Sequence, residues 1–176
     1  MTWTSPHAAL VLASPRNGLL FWTPVALPAL AGLIWLALRG RSRGNSSDSG
    51  TLGWICLFMV ATQIYVSGSL DTWAAAGSFG QRRLIGLSVF LVIGLATVLA
   101  ASRGWMRYAV YAFAALAVWW NVGLTAQFGT GVMSRQHLDP PANAYHTFVT
   151  IPRRLPELVY RYALDRESFY QPSASR

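Results

Sequence analysis

The sequence predicts an all-helical, polytopic integral membrane protein with four transmembrane helices and a short C-terminal amphipathic helix. Three observations carry that prediction: charge is scarce, it is confined to certain stretches, and the stretches without it have bilayer length. Of 176 residues, 53% are apolar and 11% charged, under half the roughly 25% of an ordinary soluble domain. Fourteen basic residues against six acidic ones give a net charge of +8. Every basic residue is arginine, so no accessible pH neutralises the excess.

None of the charges falls in Leu19–Leu38, Leu52–Leu70, Leu84–Ala101 or Tyr108–Phe128, runs of 20, 19, 18 and 21 residues. At about 1.5 Å per residue each approaches or reaches the roughly 30 Å of a bilayer core, where a helix satisfies its own backbone. The chain therefore divides into an external leader over 1–18, a four-helix membrane domain over 19–128 and an extramembrane tail over 129–176. In the leader, Ser14-Pro15-Arg16-Asn17-Gly18 has the composition of a turn or helix entry. A cleaved signal peptide would carry a basic start and a shorter apolar run, so the first span is expected to be retained. Within that span Pro24 and Pro28 lie four residues apart on one face, each without an amide donor, which predicts a kink or a locally opened helix.

The loop Arg39–Gly50, RGRSRGNSSDSG, is short, flexible and polar. Together with Ser102–Arg107 it places Arg39, Arg41, Arg43, Arg103 and Arg107 on one side, against Arg16, Arg82, Arg83 and Arg135 on the other. By the positive-inside rule the five-arginine side is cytoplasmic and both termini are external. The tail reads as coil over Gly129–Asn143. After Pro152 it becomes a helix over about 153–168, because Leu155, Leu158, Val159 and Tyr162 recur three and four residues apart while Arg153, Arg154, Glu157, Arg161 and Asp165 fill other positions. That helix suits the membrane surface or a place against the loop Asp71–Arg83.

This composition argues against a soluble enzyme. Nucleic-acid binding is not expected either, because the arginines are scattered through loops rather than gathered on one folded face. Cys56 is alone inside the second span, which excludes an intrachain disulfide. His7, His137 and His146 have no ligand spacing, so no metal is assigned, and no cofactor motif is present. Gln63, Asn121 and Gln127 inside spans are read as hydrogen-bonding glue between helices. Trp54, Trp119 and Trp120 are read as interface or lipid-facing aromatics.

The most informative stretch is Asp71–Arg83, DTWAAAGSFGQRR. A small-residue backbone can turn amides toward an anion, and adjacent guanidiniums can grip phosphate oxygens, so Arg82 and Arg83 are candidates for a phosphate or pyrophosphate site. The alternative is that both anchor a helix end beside lipid headgroups. Trp73 and Phe79 flank the small residues. Asp71 supplies an acid able to orient an arginine, bind a metal or cap the preceding turn.

The segment SPRNGLLFWTP (Ser14–Pro24), followed further on by the acidic-aromatic, small-residue loop ending SFGQRR (Ser78–Arg83), resembles the C-terminal part of bacterial membrane proteins related to the dolichyl-phosphate-mannose type glycosyltransferases, the GT-C fold. The likeness covers Ala13–Phe128, with a looser echo in IPRRLPELVYRYALDRESFY. It implies an enzyme of the bacterial cytoplasmic (inner) membrane that takes a sugar from a polyprenyl-phosphate donor on the outer face of that membrane and transfers it to a lipid, glycan or protein. By this resemblance Arg82 and Arg83 lie near the donor phosphate and stabilise it as it departs. Arg16 and Asn17 lie near the same face, and Asp71, Trp73, Gly77, Ser78 and Gly80 support the site.

The loop departs from the tryptophan- and glycine-rich pattern of those proteins at Thr72, Ala74, Ala75 and Ala76. Their catalytic acid belongs to a first external loop, whereas Met1–Leu19 contains no aspartate or glutamate. The acid would then come from an N-terminal half or partner chain. The competing expectation is a non-catalytic membrane scaffold that contacts anionic lipid and a partner protein.

Overall fold

The computed structural model describes residues 3–42, 48–74, 78–134 and 137–164, and every regular element among them is helical. The expected site residue Gly77 lies outside the described residues, as do Arg43, Arg135 and the 165–168 end of the expected tail helix. Eight α-helices follow in order: α1 (Ala8–Ala13), α2 (Leu19–Trp22), α3 (Ala26–Ser42), α4 (Asp48–Gly68), α5 (Ser88–Ala101), α6 (Trp105–Gly129), α7 (Pro140–Tyr145) and α8 (Ile151–Leu164). A 3-10 turn over Arg82–Leu87 leads into α5, and a π turn over His146–Thr150 joins α7 to α8.

Among the described residues, three stretches are long and apolar enough to cross a membrane: Asp48–Gly68, Arg82–Ala101 and Trp105–Gly129, of 21, 20 and 25 residues. The first expected span is broken instead. Its helix stops at Trp22, turns through Thr23–Val25 and restarts at Ala26, leaving Ala26–Arg39 as a shorter apolar helix. Pro24 accounts for the break. Pro28 then sits in the first turn of α3, where an amide would have no intrahelical partner and its loss costs nothing.

The 3-10 turn also has a local cause. A repeat of three residues puts Leu84 and Leu87 on one face, and both are buried while Ile85 between them faces outward. The helix α6 ends in a Schellman motif: Gly131 takes φ +71°, its amide donates to the Phe128 carbonyl, and the Val132 amide donates to the Gln127 carbonyl at 3.0 Å.

The centre of the bundle is α3, packed against both α4 and α5. Its buried stripe of Ala26, Ala29, Leu33 and Ala37 has helical spacing. Gly32 and Gly94 let the backbones of α3 and α5 touch: a Cβ on Gly32 would lie 1.9 Å from the Gly94 carbonyl oxygen, and one on Gly94 would lie 2.0 Å from that of Ala29. Gly53 of α4 meets the backbone of Ala37 in the same way, at 2.5 Å. Small residues at such crossings are how helices associate where lipid supplies no hydrophobic drive.

Helix extends further than the chain suggests: α3 runs on to Ser42 and α4 begins at Asp48, inside the expected loop Arg39–Gly50, and both leader and tail contain short helices. The leader contains α1, docked on the end of α4 by a bond from the His7 amide to the Gly68 carbonyl (2.9 Å). In the tail, Asp139-Pro140-Pro141 starts a helix rather than continuing a coil. Asp139 accepts from the Ala142 amide, Pro140 occupies the first helical position, and the Asn143 side chain accepts from the Asp139 amide at 2.8 Å. Further along, Pro152 has no amide for the Phe148 carbonyl and its ring crowds that turn, which accounts for the π turn just before it.

Candidate functional site

The leader, the loop over 69–83 and the segment after α6 converge at one end of the bundle. Trp22 organises them. Its indole N–H donates to the Arg16 carbonyl (3.1 Å), and its ring meets Phe79 edge-on at 5.0 Å, with Phe79 in turn edge-on to Phe128 at 5.4 Å. Gly80 lies against the Trp22 ring at φ +57°, a backbone conformation that a side chain would strain, and the Ser78 hydroxyl closes the turn on the Gly80 carbonyl at 3.1 Å. The Leu138 amide donates to the Pro15 carbonyl at 3.1 Å, which brings the tail to the leader.

Hydrogen bonds then fix the loop itself. Asn17, 1% exposed, donates through its side-chain amide to the Ala74 carbonyl. Gln81 donates to the Trp73 carbonyl (2.8 Å), and Gln63 of α4 donates to the Arg83 carbonyl (2.9 Å). The Trp73 ring stacks on His7 with centroids 5.9 Å apart. The glutamine oxygen Oε1 of Gln81 is buried with no hydrogen-bond partner among the described residues.

The two neighbouring arginines have different roles. Arg83 is half-buried, and its guanidinium donates to the Thr72 carbonyl (2.7 Å) and the Thr72 hydroxyl (2.8 Å), clamping the loop. Arg82 is exposed, and the threefold repeat of the 3-10 turn sends adjacent side chains about 120° apart. The pair is thus not a single fork. Arg16 and Asp71 are also exposed at this end. The structure therefore brings the leader residues Arg16 and Asn17 to the loop residues Asp71, Trp73, Ser78, Gly80, Arg82 and Arg83, with Arg16 and Arg82 presenting outward over a buried polar floor.

Below Trp22, an apolar groove of about 490 Å³ opens between the Thr23–Val25 break and the face of α6 that carries Ala117, Asn121 and Thr125. Asn121 and Thr125 bond within α6, to the Ala117 and Asn121 carbonyls. Asn121 therefore does not tie one helix to another. Gln127 does: it is fully buried, donates to the Thr147 hydroxyl (2.8 Å) and accepts from the Asn143 amide (2.8 Å).

The connection of Asn143 to Gln127 carries no signal in the chain, because its partner lies on another helix, and that of Gln81 to Trp73 depends on how the loop folds back on itself. Among the described residues, no group of three His, Cys, Asp or Glu side chains gathers as metal ligands would. Comparison with protein-family models, curated proteins and solved structures gives no match to this chain.

Proposed function

We propose that this chain is the membrane portion of a glycosyltransferase-like protein that binds a polyprenyl-phosphate sugar at the end of its bundle where leader and loop meet. In this reading the chain crosses the bilayer four times, with α2 and α3 forming one broken crossing beside the three long helices. Arg82 and Arg16 meet the donor phosphate, while Arg83 holds the loop through Thr72. The isoprenoid chain lies in the groove beside the helix break.

The observation that carries the reading is the joining of leader to loop through Asn17 and Trp73, which places two exposed arginines at one end of the bundle above an apolar groove. Charge-assisted bonds from guanidinium to phosphate are the strong kind, and the groove, lined by the helix break and α6, offers hydrocarbon an apolar surface. The reading claims donor binding. Sugar transfer requires a general base, and residues 1–19 offer no carboxylate, so the base comes from another segment or chain.

The test is titration of polyprenyl phosphate into the full chain held in lipid nanodiscs. Arg16→Ala and Arg82→Ala are expected each to weaken binding roughly tenfold. Both variants should retain the melting behaviour of the parent. Equal affinity in the doubly substituted chain overturns the proposal and leaves a scaffold that contacts lipid and a partner.

A further inference from the structure

We infer that α8 is an interfacial helix, with its apolar face seated in the bilayer surface and Arg153 and Arg154 engaging anionic lipid phosphates. The inference rests on the membrane-spanning part of the reading above and needs nothing of its donor site. Along α8, Ile151, Leu155, Leu158 and Val159 recur at three- and four-residue spacing and so share one side, whereas Arg153 and Glu157 fall on the other and Arg154 flanks the apolar row.

The apolar row begins under the bundle and runs out from it. Ile151 is 2% exposed, while Leu155 is 41% and Val159 58% exposed. A face that is covered where the helix starts and bare eight residues later requires a second cover, since exposing it to water forfeits the gain from burial. The bundle does not supply that cover: α8 packs on the π turn before it and, to a small extent, on α6. Its starting point is fixed beside a membrane helix, because Gln127 of α6 holds Asn143 and Thr147 just upstream.

Two covers are chemically available, a bilayer and a second copy of this chain. The second copy carries the same +8 charge, which opposes its approach. A bilayer containing anionic lipid offers both complements at once, hydrocarbon for the row and phosphate for the guanidiniums, whose stems can lie along the apolar surface while their heads reach the headgroups.

The test uses the full chain with Cys56→Ser, reconstituted in vesicles of phosphatidylcholine with phosphatidylglycerol. An environment-sensitive fluorophore is attached at Val159→Cys or, on the charged side, at Glu157→Cys. Resistance to alkaline extraction reports the membrane spans separately. The expected result is blue-shifted emission at 159, quenched by nitroxide lipids at least about twofold more than at 157. Omitting phosphatidylglycerol, or adding Arg153→Gln with Arg154→Gln, should release the helix by roughly fivefold per arginine. Water-like emission at both positions in a chain that resists extraction overturns the inference. So does shielding at 159 that lipid nitroxides do not quench but that energy transfer between copies accompanies. Insertion indifferent to both lipid charge and the arginines overturns the assignment to anionic lipid.

Discussion

Two regions of this bundle are held together by opposite means. Where α3 crosses α4 and α5, glycines and alanines bring backbone against backbone, with Gly32, Gly53 and Gly94 at the points of contact. Where α6 meets the tail, a buried trio of Gln127, Asn143 and Thr147 exchanges hydrogen bonds, and Gly123 makes room for the Thr147 side chain. The first interface is shape alone. The second is polar pairing in a place without water, where each group depends on the others. The first can fail by addition of volume and the second by loss of a partner.

That contrast can be broken most severely at the first interface. Gly94→Val puts a carbon 2.0 Å from the Ala29 carbonyl oxygen, far inside van der Waals contact, and is expected to destabilise the bundle by about 3 kcal/mol or more. Thermal unfolding in detergent measures it, with accelerated maleimide labelling of the buried Cys56 as a second readout. A near-normal transition would mean that α3 and α5 do not touch as described.

At the second interface, Gln127→Leu leaves Asn143 and Thr147 short of a partner at a cost of about 1–3 kcal/mol. Hydrogen exchange should rise over 140–150 while the α3–α5 contact stays protected. Rising exchange in both regions would show that they are not independent. Smallest is the effect of Arg83→Gln, which removes the bonds to Thr72. Proteolysis near Asp71–Ala74 should quicken about threefold, since exposed polar contacts hold a loop only weakly. Arg82→Gln should leave it unchanged.

The separation of the two arginines also shows where reading a chain reaches its limit. Arg82 and Arg83 look equivalent as neighbours, and their difference comes from Thr72, eleven residues earlier. Gln127 and Asn121 look alike too, six residues apart on one helix. One finds partners on the tail and the other only its own backbone. The start at Asp139-Pro140 does have a local signature, a capping acid before proline, yet the glycines before it favour coil and only docking on α6 stabilises so short a helix.

By itself the sequence determined what is additive along the chain. The absence of charge from long runs marks apolar helices, Pro24 marks a break, and the spacing after Pro152 marks a further helix. Tertiary structure alone decided which small residues become crossings, which amides find partners, and which of two adjacent arginines faces outward. Those outcomes depend on atoms distant in sequence arriving within a few ångströms, and a hydrogen bond or a steric contact has no strength until they do.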